Sequence, residues 1–186
     1  MTQKTNSELN EENIPRPGST LYNFHFKSDK IQKKKLRKWQ KLNKYLVIPL
    51  YRVKILPLLG FGRVILLLET KGWKTGKIRR TPLEFRKLDG CITIFSAFGE
   101  KSAWVKNIRI NPEEVSVRLG FHHFKPEVEF IDDTNQKISI MKQYVSEYSK
   151  SAKILFGWNP EKDNLDSIDF SGLVDLLSII KLHKNN

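Results

Sequence analysis

The stretch KGWKTGKIRRTPLEF, Lys71 to Phe85, carries five cations, with Arg86 just beyond, and two glycines between apolar runs. Gly72 and Gly76 bracket Trp73-Lys74-Thr75. Glycines let a backbone turn tightly and aim successive N–H groups into one anion-binding concavity. Lys74, Lys77, Arg79 and Arg80 add charge around it, and arginine forks pair with phosphate or carboxylate. The chemistry such a loop offers is binding of a small polyanion. Taken alone, the loop also reads as a solvated charged hairpin.

Three other chemistries are excluded by spacing. A nucleotide phosphate-binding loop needs G-x-x-x-x-G-K-[ST] between a strand and a helix; here the glycines are four apart, Ile78 follows Lys77, and a strand follows. The Lys-Thr-Gly triplet of β-lactamases comes with an S-D-N motif that this chain does not contain. RNA-binding sheets carry RNP motifs with interleaved aromatics, and these are absent. Nucleophile–base signatures are lacking too. There is no C-x-x-C or H-E-x-x-H, and the histidines are His25, His122, His123 and His183. Adjacent histidines on a strand point to opposite faces, so His122-His123 reads as structural and no metal site is expected. Cys91 lies in an apolar run and reads as a small buried hydrophobe.

The charge is concentrated. The chain has 186 residues and a net charge of +13. Residues 30–109 hold 21 cations and 4 acids, whereas residues 110–186 hold 9 cations and 12 acids. That segment calls for an anionic partner.

The elements that must position the loop follow from hydrophobic period. Residues 1–29 are polar, with Pro15, Pro17 and Gly18, and read as a flexible tail. Over 30–48, Leu36, Trp39, Leu42 and Leu46 recur at helical spacing among lysines. From Lys30 to Arg63 there are 11 cations and no acid. This reads either as an interfacial helix on anionic lipid, with residues 30–54 as the contact, or as a helix packed on its own domain. Prolines and charges between Tyr45 and Leu68 argue against a transmembrane span. The polar start shows no signal peptide, so a cytoplasmic protein is expected, peripheral on the membrane if the helix is interfacial.

Strands are predicted at Val64–Thr70, Thr81–Leu88 and Cys91–Ala97, with Asp89-Gly90 as a hairpin turn. Ser102–Ile110 reads as a helix ended by Asn111-Pro112. Val115–Leu119 and Phe124–Ile131 are further strands, Asn135–Tyr148 a helix, and Leu173–Leu182 a strand or a helix. Strands in hairpin succession predict a mainly β, α+β protein built as an antiparallel barrel or curved sheet. The division expected is tail 1–29, basic helix and linker 30–62, barrel domain 63–156 and C-terminal extension 157–186.

LLLETKGWKTGKIRRTPLEF, followed by DGCITIFSAFGEKSAWVKNIRINPEEVSVRLG, resembles the deazaflavin-dependent nitroreductase family. These oxidoreductases use coenzyme F420, include quinone reductase-like members and are related to split-barrel flavin-binding proteins. Their pattern is an apolar strand, G-[RK]-[KR]-[ST]-G-x-x-R-x-[TV]-P, a strand, D-G, an apolar strand, a Gly-containing turn and W-x-x-N-[ILV]-x-x-N-P. The resemblance covers roughly residues 36–150. It implies a split β-barrel in which Lys74, Thr75, Gly76, Lys77, Arg79 and Arg80 grip the phosphate and glutamate tail of F420. It further implies that Thr81, Pro82 and Leu83 run beside the ring system, that Ser96, Ala97, Phe98, Gly99 and Lys101 line it, and that Trp104 and Asn107 close the pocket. Tyr144 and Tyr148 fall where members place tyrosines near the substrate; with Ser96 and Trp104 they are the candidates for contact with reacting groups. Four positions depart from the common H-P-x-W-Y-H-N: Lys101 replaces the first histidine, Ser102 the proline, Val105 the aromatic and Lys106 the second histidine.

The expected function is hydride transfer from reduced F420 to a small electrophilic acceptor, a quinone or a nitro compound. FMN is the alternative cofactor, and a non-enzymatic lipid- or nucleic-acid-binding protein is the rival class. Either a monomer or a homodimer is compatible with the sequence.

Overall fold

A computed structural model describes residues 14–26, 38, 41–60 and 63–184. In chain order the elements are α1 (Thr20–Phe26), a π turn (Asn43–Val47) running into α2 (Ile48–Arg52), α3 (Ile55–Leu58), β1 (Ile65–Lys71), β2 (Ile78–Leu88) and β3 (Cys91–Ser96). There follow α4 (Ala103–Ile110), β4 (Ser116–Leu119), β5 (His122–Phe124), β6 (Pro126–Ile131), α5 (Thr134–Glu147), α6 (Ser149–Phe156), α7 (Ser171–Leu176) and β7 (Ser178–Lys184). The chain divides into two compact units, a helical one (1–28 with 133–176) and a sheet one (29–132 with 177–186).

The sheet unit is one seven-stranded sheet in the order β5-β4-β1-β2-β3-β7-β6, antiparallel throughout. Its edge strands β5 and β6 are joined through Lys125 alone. A connection that short forces the sheet to curl until its edges approach. The mainly antiparallel, curled half-barrel with flanking helices is the expected split-barrel class.

The apolar run ILLLETK forms β1 because it is covered on both faces: Leu66, Leu67 and Leu68 have no exposure. Alternation sends Leu66 and Leu68 to the inner face, with Phe85, Ile94, Val117, Ile180 and Leu182. Val105 and Ile108 of α4 pack onto that cluster. Each such side chain contributes about 1.5–3 kcal/mol by leaving water. The β2–β3 turn is Asp89-Gly90, both at positive φ (49° and 76°), which suits the right-handed twist of a two-residue hairpin.

Several elements differ from the sequence reading. β2 begins at Ile78, so Arg79 and Arg80 belong to the strand and not to the loop. The Leu173–Leu182 run contains both a helix end and a strand, α7 and β7. β7 lies between β3 and β6 inside the sheet, so the segment set apart as an extension supplies an interior strand. The 124–131 run divides at Lys125 because β5 pairs with β4 while β6 pairs with β7.

In the helical unit, residues 14–26 of the expected tail are structured. Ile14 and Leu21 are buried. The Arg16 fork donates to both Asp163 oxygens at 2.8 Å, and Arg16 N–H donates to Phe156 O at 2.9 Å. Burial pushes the Asp163 carboxyl up, but Arg16 and the Asn159 N–H outweigh it and hold it below the usual carboxylate range. The expected basic helix over 30–48 falls largely outside the described residues. Among those described, no helix is long and apolar enough to cross a membrane.

Candidate functional site

The loop between β1 and β2 is shaped by its glycines. Gly76 sits at φ +64°, and a Cβ on Gly72 would meet Thr75 Oγ1 at 2.9 Å and Lys77 O at 3.1 Å. The expected concavity of free N–H groups is not there. Gly72 N donates to Lys77 O, and Thr75 N and Gly76 N both donate to Gly72 O. The turn is too tight to leave those donors outward. Anion binding at this loop therefore falls to side chains. Lys74, Lys77 and Arg79 are exposed, and Lys74 Nζ rests 4.7 Å from the Trp73 ring centroid. Among the described residues none of these three meets a carboxylate.

Asn107 holds the loop in place. It is 4% exposed. Its Oδ1 accepts from Trp73 N at 3.0 Å and its Nδ2 donates to Thr70 Oγ1 at 3.0 Å. One buried amide thus ties α4 to the end of β1 and to the first residues of the loop. Sequence reasoning named Asn107 as a lining residue and missed this bridging geometry. Trp104, one turn earlier on α4, packs partly buried against the core.

Strand alternation separates the two arginines. Arg79 is paired with Thr70 and shares the inner face with Thr81 and Leu83, whereas Arg80 and Pro82 face outward. Arg80 Nε donates to Glu69 Oε1 at 2.7 Å, and Arg118 Nε donates to the same oxygen at 3.1 Å. Ser116 Oγ donates to Glu69 Oε2 at 3.4 Å, and His123 Nε2 lies 3.9 Å from that oxygen. Burial pushes the Glu69 carboxyl up, but hydrogen bonds and charge from Arg80 and Arg118 outweigh it and hold it low. The register signal for this cluster, an acid of β1 directly opposite Arg80, is readable only once the hairpin is aligned.

β2 and β3 part company. They pair only from Phe85–Ile94 to Leu88–Cys91, although β2 reaches back to Ile78 and β3 runs on to Ser96. Thr81 and Leu83 edge one side of that parting and Ser96 the other. Ser96 Oγ donates to Gly99 O at 3.2 Å and shares a 2.6 Å hydrogen bond with Ser102 Oγ. These bonds fix the turn that carries Ala97, Phe98, Gly99 and Lys101. Phe98 and Ala97 are half-buried, and Lys101 is exposed. The sheet unit therefore contains all the expected binding positions from Lys74 to Asn107. Tyr144 and Tyr148 belong to the helical unit, where Tyr144 is buried with its ring 5.5 Å from Tyr148 and 5.7 Å from Phe156. His122 and His123 do not converge on a metal, and no group of three candidate ligands occurs among the described residues.

Comparison with known proteins assigns the chain. No curated protein matches its sequence. Among solved structures it is similar to a conserved hypothetical protein of Mycobacterium tuberculosis (15% identity, 66% of this chain and 74% of that one, TM-score 0.45). Another similar structure is an F420H2-dependent reductase (22% identity, 65% and 95%, TM-score 0.43). A third is an FAD-binding protein of Mesorhizobium loti (20% identity, 66% and 82%, TM-score 0.40). The sequence profile of the F420H2-dependent quinone reductase family matches residues 55–153, more than half of the chain and all of the candidate site. The chain belongs to the F420H2-dependent quinone reductase family and is an oxidoreductase that works with coenzyme F420.

Proposed function

We propose that this reductase uses F420H2 to reduce a lipophilic electrophile, a quinone first and a nitro compound second, at the parting between β2 and β3. The observation that carries the reading is a set of cations that meet no carboxylate among the described residues: Lys74 and Lys77 on a loop anchored by a buried amide, and Arg79 at the start of β2. Cations without acid partners are costly to gather unless an anion comes to them. A donor set of that kind fits a coenzyme with a phosphate and a glutamate tail; FMN, with one phosphate, would make less use of it. The bound deazaflavin supplies the hydride. The chain's own work is to bind the tail at Lys74, Lys77 and Arg79. It orients the ring beside Thr81 and Leu83, and holds the turn from Ser96 to Lys101 against it. With no nucleophile–base pair in this region, the proton for the reduced acceptor comes from a hydroxyl such as that of Ser96 or Ser102, or from solvent.

The acceptor's lipophilicity is supported by residues 41–59. Tyr45 (70% exposed), Val53 (63%), Leu58 (77%) and Leu59 (67%) face solvent there. Lys41, Lys44, Arg52 and Lys54 stand among them without an acid. Apolar side chains interleaved with cations suit an anionic lipid surface, where a quinone dissolves. The test is oxidation of F420H2 with menadione and with a nitroimidazole, alongside fluorescence titration with F420 and FMN. Saturable F420 binding with turnover of menadione supports the reading. Binding of FMN alone, or binding of neither cofactor, contradicts it.

A further inference from the structure

On the outer face of the sheet, three neighbouring strands set a thiol, an imidazole and a carboxylate in a row. Cys91 opens β3, His183 lies on β7 and Glu129 on β6, and these strands are adjacent. Cys91 Sγ lies 3.5 Å from His183 Nδ1. His183 Nε2 lies 2.7 Å from Glu129 Oε2. An ionised carboxylate only accepts hydrogen bonds, so Nε2 carries the ring proton toward Glu129. In the neutral ring, Nδ1 is then an acceptor facing the thiol. A nucleophile within reach of a base, itself oriented by a third group, is the arrangement of an activated nucleophile. The two ring nitrogens serve different partners, so the three groups do not converge as metal ligands would. The row is also reachable: the side chains of His183 and Glu129 are 37% and 49% exposed, and Cys91 is half-buried. The sequence reading of Cys91 as a small core hydrophobe accounts for none of these polar neighbours.

We infer that Cys91 is a nucleophilic thiol that exchanges with low-molecular-weight disulfides, with His183 as its base and Glu129 as the residue that positions the imidazole. His183 Nδ1 takes the thiol proton. The thiolate attacks one sulfur of the disulfide, a new S–S bond forms on Cys91, and the reagent's own S–S bond breaks. The departing sulfur takes the proton back from His183. One disulfide is consumed, and a mixed disulfide and one free thiol result. The site lies apart from the cofactor loop and shares no residue with it.

The test mixes the native full chain with 4,4′-dithiodipyridine, whose departing thiol absorbs light. The probe is uncharged, which keeps the chain's net charge of +13 out of the comparison. The same chain is measured in denaturant, corrected with free cysteine in the same solvent. The native chain is expected to react roughly tenfold or more faster than the unfolded one, although its thiol is less accessible. His183→Gln should remove that excess and Glu129→Gln most of it. A native rate at or below the unfolded rate overturns the inference. So does an unchanged rate in a His183→Gln variant whose thermal unfolding matches the parent.

Discussion

Arg79 and Arg80 are adjacent in the sequence and face opposite sides of β2. Arg80 lies outward against Glu69, which Arg118 also engages. Arg79 lies inward beside Thr70, on the strand that follows the loop carrying Lys74 and Lys77, and meets no acid among the described residues. The two positions have the same side chain and different chemistry. A paired guanidinium on an outer face fixes strands to one another. One that meets no acid among the described residues, at the start of β2 beside a loop tied down by Asn107, leaves its charge open to a ligand. The difference teaches that adjacent arginines are separated by strand facing, which charge density alone does not reveal.

The comparison can be broken at its anchor first. Asn107→Leu leaves the Trp73 N–H without its acceptor and Thr70 Oγ1 without its donor, so unfolding stability should fall by about 3 kcal/mol. Urea unfolding reads that loss, and F420 titration should show weakened binding in the fraction that folds. Next comes Arg79→Ala, which should weaken F420 binding roughly tenfold, about 1.4 kcal/mol, and leave the urea midpoint where it was. Arg80→Ala should do the reverse, lowering stability by about 1 kcal/mol because Glu69 loses its shortest charged hydrogen bond and keeps those from Arg118 and Ser116, with F420 affinity unchanged. Gly76→Ala should cost about 1 kcal/mol, since the added Cβ meets open space and only the left-handed backbone is strained.

Acid sharpens the same contrast. The Glu69 carboxyl titrates below its usual range in the folded chain. Its contribution is therefore fully present at neutral pH and is lost as pH falls through the carboxylate range. Stability of the parent should drop on acidification more steeply than that of Arg80→Ala, measured by urea midpoints at neutral pH and at a pH below the ordinary glutamate value. Equal slopes would detach Glu69 from Arg80.

Much of the barrel was legible in the sequence. ILLLETK, the Asp89-Gly90 turn and CITIFS carry period and turn chemistry that dictate β1, the hairpin and β3. The interior strand β7 was not legible, because Leu173–Leu182 carries its polar residues Asp175, Ser178 and Lys181 at three-residue spacing, a helical period that runs across both α7 and β7. Nor was the ordered segment 14–26: Ile14 and Leu21 are sparse, and the Arg16–Asp163 pair joins residues distant in sequence. At the site, residue types were visible and facing was not. Arg79 and Arg80 looked like one pair until the strand start at Ile78 set their alternation. The loop's N–H groups looked free until its internal hydrogen bonds engaged them.

The most direct test of the central claim is a side-by-side F420 titration of the parent, Arg79→Ala and Arg80→Ala, with urea unfolding of the same preparations. The account predicts that Arg79→Ala loses affinity and keeps stability, while Arg80→Ala loses stability and keeps affinity. Equal loss of F420 affinity in both variants would contradict it, because the outer-face arginine would then be serving the ligand as well.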